Sequence, residues 1–338
     1  NEALGFDSAP TIPSLNPKGG MDVITYTGTY ATLNVGGLNF EPGLVWIKNR
    51  DSGTSAHFLA DSVRGGTKVL QSNSTGAENT RSNHILSFNP DGFTLGADGT
   101  SNYPSGNSFV AWAWQAGGPA VANSDGAVTS QVSANTDYGF SIVTVTPTAA
   151  GQTVGHGLST TPSWIIYKNR DTAGNWRVHH TSLGTSKTLF LNTNASQSTS
   201  SDRVTAVTSS TFTLGDIVAN DDHVAYCWSE VSGYSKFGSY AGSGASGKQV
   251  TGLGFKPRYL IVKAYDGNAS WVIVDSKRGG DKLLFAEATN ADSSGDTILF
   301  LDDGFQIQGG GGDQNYSGRN YIYAAFADRP GNNWDVNN

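Results

Sequence analysis

Short apolar runs recur along the whole chain, set apart by segments of Gly, Asn, Asp, Ser and Thr. "LVWIK" ends at Lys48, "WIIYK" at Lys168 and "YLIVK" at Lys263. Each follows a Gly-Leu pair and a Pro: Gly37, Leu38 and Pro42, then Gly157, Leu158 and Pro162, then Gly252, Leu253 and Pro257. Further on, each copy has a strand rising into a Gly-bearing turn and a second lysine, at Lys68, Lys187 and Lys282. Each ends with "FTLG" from Phe93, "FTLG" from Phe212 or "FQIQ" from Phe305, a loop, and an aromatic strand: "FVAWAW", "HVAYCW" or "YIYAAF". Runs this short, rich in β-branched and aromatic residues and bounded by turn formers, predict strands. One pattern is written three times.

The aromatic closing strand is apolar on both faces: Val110, Trp112 and Trp114 alternate with Phe109, Ala111 and Ala113. One-sided burial would leave alternate positions polar, so this strand is expected to be central, lying between two packed layers of sheet or between a sheet and a neighbouring copy. Asp91-Gly92 and Asp303-Gly304 predict tight hairpins, and Ser210-Thr211 in the middle copy predicts a different turn. The expected fold class is all-β: three tandem β-sandwich (jelly-roll-like) repeats, each with its own core. The boundaries read as an extended N-terminal arm over 1–20, repeat 1 over 21–118, repeat 2 over 138–232, repeat 3 over 233–329 and a tail over 330–338. Residues 119–137 read as a polar connector that adds a hairpin or stays extended.

Charged residues make up only 14% of the 338 and the net charge is -7, so no basic field exists to hold nucleic acid or an anionic membrane. No run approaches the roughly 18 apolar residues of a membrane span, so no membrane insertion is expected. The single Cys227 lies in an apolar strand and reads as a buried thiol. Catalytic residues: none is expected, because none of the five Glu recurs at a matching place in all three copies. Asp61 and Asp275 do match, with His180 between them in the series, and predict side chains that cap turns. His179 and His180 point to opposite faces of a strand, and His223 replaces Phe109 and Tyr321, so no metal set emerges. No cofactor is implied, although the Asp- and Asn-rich loops offer the oxygen ligands that Ca²⁺ prefers; solvated turns are the plainer reading.

The residues with most to offer a ligand are Asn49, Arg50 and Asp51, their matches Asn169, Arg170 and Asp171, and Asp266 in the third copy, with Trp176 and Trp271 on the following strand. Planar polar groups beside aromatic faces suit sugar hydroxyls and sugar rings. The same loops suit structural turns, and the two Trp suit the core, since they replace Phe58 or its neighbour in the first copy.

The segments "GLNFEPGLVWIKNRDSGTSAHFLADSVRGGTKVLQSNSTGAE", "SFNPDGFTLG", "FVAWAWQAGG", "VTSQVSANTDYGFSIVTVT", "VGHGLSTTPSWIIYKNR" and "GYSKFGSYAGSG" resemble structural proteins encoded by marine bacteriophages. The resemblance runs from about Met21 to Asp328, without the SPRY-like sandwich that often precedes such repeats. It implies a virion appendage on the exterior of the particle, a tail fibre or receptor-binding protein that contacts the host surface, for which the loops and Trp residues above make a glycan the expected contact. A capsid-attached decoration fibre and a polysaccharide depolymerase on the same scaffold are the alternatives. Other virion proteins are the implied partners, with a homotrimer expected for a fibre and the arm as the anchoring segment.

Overall fold

The structure, a computed structural model, describes residues 19–201 and 203–328. The expected tail, and the arm apart from Gly19 and Gly20, lie outside the described residues. The described chain is all-β, and each third builds two antiparallel sheets from its own strands.

In the first module the strands are β1 (Met21–Thr27), β2 (Leu33–Gly36), β3 (Leu44–Asn49), β4 (His57–Asp61), β5 (Lys68–Gln71), β6 (Asn79–Thr80), β7 (Ile85–Asn89), β8 (Gly92–Leu95) and β9 (Ser108–Trp114). The large sheet runs β1-β9-β3-β4-β5-β6 and the small one β2-β8-β7. Modules two and three repeat this plan, with closing strands at His223–Trp228 and Asn320–Ala327 beside Trp164–Asn169 and Pro257–Ala264. The segment read as a connector takes the hairpin form, one of the two that its sequence allows. Val121–Asn123 and Ser130–Asn135 pair with each other and extend the large sheet of module two, where module one ends at β1.

The β7–β8 hairpin closes at Asn89 and Gly92, so its loop is Pro90-Asp91. Gly92 has φ +149, and a Cβ there would come within 1.9 Å of the Val35 carbonyl, so glycine is required by close approach. Asp91 uses both carboxylate oxygens to accept from the Gly37 and Asn39 backbone N–H groups, which ties the hairpin to the β2 end. Asp303 does the same for Gly252 and Gly254. The middle copy turns through Thr208–Ser210 instead, with Thr208 Oγ1 accepting from Thr211 N.

The closing strand is buried on both faces, and the two faces belong to different cores. Phe109, Ala111 and Ala113 pack with Val35, Phe93 and Leu95 of the small sheet, inside the module. Val110, Trp112 and Trp114 face outward into a second core shared with modules two and three. The expectation of separate cores therefore holds for modules one and two, each of which keeps an inter-sheet core of its own, and fails for module three, whose inter-sheet core is continuous with the shared one. The equivalent residues Trp114, Trp228 and Phe326 touch one another, with ring centroids 5.8, 5.8 and 6.5 Å apart. Three equivalent rings in mutual contact mark a pseudo-threefold axis, and the large sheets form a three-sided ring around it.

Each of these rings removes a large apolar area from water. Trp228→Ala is expected to cost about 3–5 kcal/mol. Because the modules share a core, calorimetry should show one unfolding transition for the described chain; separate peaks for the modules would contradict the shared core.

Candidate functional site

The nine residues singled out from the sequence occupy two settings. Asn49 Oδ1 accepts from the backbone N–H groups of Asp51 and Ser52, and Asn169 Oδ1 from those of Asp171 and Thr172, the local bonding that makes Asn a turn residue. Asp51, Asp171 and Asp266 each accept from a backbone N–H at the start of the closing strand, at Ser108, Asp222 and Asn320. Trp176 and Trp271 are buried, and their indole N–H groups donate across module boundaries to the carbonyls of Gln71 (2.8 Å) and Phe190 (3.0 Å). Neither ring face is open to a sugar, so that expectation is corrected: both Trp are interface core. Arg50 and Arg170 also cross boundaries, pairing with Asp292 (2.8 Å) and Glu78 (3.0 Å).

These contacts belong to a cycle. Glu78 N donates to Arg170 O, Gln197 N to Tyr265 O and Asp292 N to Arg50 O, at 2.8, 2.8 and 2.7 Å, joining modules one to two, two to three and three to one. Side chains reinforce all three boundaries, two of them through a buried Asp–Arg pair. Asp61 accepts from Arg64 (2.5 Å) and from the Tyr226 hydroxyl of module two (2.8 Å). Asp275 accepts from Arg278 (2.6 Å) and from the Trp112 indole of module one (3.0 Å), whose ring lies under the same guanidinium. Each Asp also caps its turn, as its sequence position predicts: Asp61 Oδ1 accepts from Arg64 N and Asp275 Oδ1 from Arg278 N. At the third boundary His180, Leu183 and Ala324 replace the Asp, the Arg and the aromatic donor. There His180 Nε2 donates to the Tyr323 carbonyl at 3.0 Å while Nδ1 accepts from Ser182 N.

Buried titratable groups follow the same design. Lys48, Lys168 and Lys263 are buried, and burial pushes each down to about 8. Each ammonium donates to the carbonyl of the next residue; Lys168 and Lys263 also reach the Thr75 and Asn194 carbonyls of the neighbouring module. All six histidines lie below their ordinary value, burial being the leading cause in each. In His57, His156 and His180 an N–H donor to Nδ1 fixes the neutral tautomer, from Trp46, Leu158 and Ser182. Asp221 accepts from Asn169 and Thr172, and Asp222 from Thr146, so the Asp221–His223 cluster is bonded into its turns. Among the described residues no group of three or more His, Cys, Asp or Glu is placed to hold a metal, and no helix is long and apolar enough to cross a membrane.

One surface feature is not accounted for by folding. Tyr30 and Tyr103 are 52% and 49% exposed, yet their rings meet edge to face with centroids 4.9 Å apart. Tyr30 has φ +54, left-handed backbone that costs a non-glycine residue about 1–2 kcal/mol. Buried Asn102 holds it there. Its carbonyl accepts from Tyr30 N, its Oδ1 from Thr29 N, and its Nδ2 donates to the Ala31 and Gly96 carbonyls. Module three builds the same loop around Asn315, whose carbonyl accepts from Gly244 N and whose Nδ2 donates to Ala245 and Gly309. The residue in the position of Tyr30 is there Gly244, with φ +67. Sequence reasoning missed Tyr30; the available signal was a bulky residue in one copy aligned with a glycine in another.

The profile of one protein family, described as a domain of unknown function (DUF7483), matches residues 16–330. The chain belongs to this family. No curated protein and no solved structure matches it. The DUF7483 match spans all three modules as one unit, as the shared core and the closed cycle of contacts would require of a piece that folds together.

Two outcomes follow for this DUF7483 chain. Tyr226→Phe leaves buried Asp61 and Arg64 without the hydroxyl between them and should cost about 1–3 kcal/mol by denaturant titration. His179 and His180 are pushed down to about 4 from an ordinary 6.5, so between those values the unfolded chain binds more protons than the folded one. The contribution of these two histidines is full above pH 6.5 and is lost on acidification toward pH 4, by roughly 3 kcal/mol per histidine; melting temperatures measured from pH 7 to pH 4 check this, and a flat profile would contradict it.

Proposed function

We propose that the chain is a non-catalytic appendage protein of a bacteriophage particle, displayed on its exterior and used for attachment to the host surface. The observation that carries this reading is the closed ring of modules around Trp114, Trp228 and Phe326. It makes one chain into a stiff three-sided body, with ion pairs and indole hydrogen bonds locking each module to the next. A body of this kind suits a protein that must hold loops in fixed positions outside a particle and transmit load. The resemblance to marine phage structural proteins points the same way. Four of the more buried acidic groups are committed to the scaffold: Glu78 to Arg64 and Arg170, Glu287 to Trp271 N, and Asp61 and Asp275 to their arginines. The ring closes within one chain, so burial of its Trp-lined faces needs no second copy.

Antibody raised against the chain and applied to intact phage particles tests the reading by electron microscopy. Label on the tail is expected. Label confined to the head would replace it with capsid decoration, and absence of label would remove it. Release of reducing sugar from host envelope polysaccharide, abolished by a single Asp or Glu substitution, would overturn the non-catalytic assignment.

A further inference from the structure

We propose that the Tyr30–Tyr103 pair is a stacking platform for an uncharged sugar ring, an inference that rests on the attachment reading and names the chemistry of its contact. Three observations carry it. First, two large rings stand half in water and brace one another edge to face, which leaves about half of each side chain in contact with solvent while restricting both. Tyrosine is suited to such contacts because its broad amphipathic ring loses little rotamer freedom on binding. Second, Tyr30 occupies a left-handed position that module three fills with Gly244 on an otherwise matching hydrogen-bond frame. The frame therefore forms without the ring, and folding alone gives no reason to place a strained tyrosine there. Third, the loops around the pair, 28–32 and 99–107, contain no charged residue, and Thr29 and Ser105 are exposed among them.

Those features select the ligand. The faces of aromatic rings carry partial negative charge and attract the polarised C–H groups on the flat side of a pyranose. Neighbouring hydroxyls suit sugar hydroxyls, and the lack of charge disfavours a sulfated or carboxylated glycan. Module three would differ. Its aligned tyrosine, Tyr316, has the Arg319 guanidinium 4.9 Å above its ring, so that face is already covered, and in module two the corresponding loop exposes Val218. The platform is a property of the first module.

The test is an array of β-linked glucose, galactose and N-acetylglucosamine oligosaccharides, with a polyproline peptide as a second probe, read with the full chain and three variants. Wild type should bind one or more neutral sugars. Tyr30→Gly and Tyr103→Ala should weaken that binding by about tenfold or more, and Tyr316→Ala should leave it unchanged. Tyr30→Gly should also keep or raise the melting temperature, which a structural role for the ring would not allow. No sugar binding by wild type, binding unaffected by both module-one variants, a lowered melting temperature in Tyr30→Gly, or binding of the polyproline peptide alone would each overturn the inference. Particle labelling separates the two claims: label on the tail without sugar binding sinks this inference alone, and tyrosine-dependent sugar binding without label sinks the attachment reading alone.

Discussion

Everything in this molecule depends on a strand that must be covered on both faces. The closing strand of each module offers its own small sheet a face of Phe109, Ala111 and Ala113 or their counterparts. The opposite face, Trp112 and Trp114 in module one and Tyr226 and Trp228 in module two, is too large and apolar to leave in water. A single sandwich cannot bury it, because its second sheet already occupies the other side. Three copies turned toward one axis can, and the mutual contact of Trp114, Trp228 and Phe326 is the result.

Once the faces meet, polar groups at the boundaries have to be satisfied, and the cycle of contacts does this with unequal means. Two boundaries use an Asp–Arg pair that also receives a hydroxyl or indole proton from the next module. The boundary between modules two and three uses a neutral histidine against a backbone carbonyl, beside Ala324 where the others place an aromatic ring. The ring is thus closed but not uniform. A buried ion pair with its lone pairs filled gives direction to the packing, whereas a histidine held as one tautomer does so only while it stays neutral.

The strands and the threefold repetition were legible in the sequence because strand signals are local: a period of two, turn residues at the ends and a recurrent lysine. The cap roles of Asp61 and Asp275 were legible for the same reason, since their partners lie within three residues. The roles of Arg50 and Arg170 were not. Their carboxylates are 242 and 92 residues away in the chain, and an Asn-Arg-Asp loop reads alike whether its arginine meets a ligand or another module. Trp176 and Trp271 were ambiguous on the same ground: a Trp after a polar loop looks the same before it is known which surface closes over it. The residues of 119–137 fit both a hairpin and an extended connector, because edge strands carry polar residues and pairing with a sheet edge is decided by the partner.

By itself, then, the order of residues determined that this chain would form strands, that it would do so three times to one plan, and that its closing strands would need cover on both sides. Those are consequences of side-chain volume, branching and alternation, each readable within a few residues. Only the tertiary structure decided what the cover is: the other two copies, turned face to face about an axis. It also decided which tyrosine stands in water, because burial is set by surfaces brought together from distant parts of the chain.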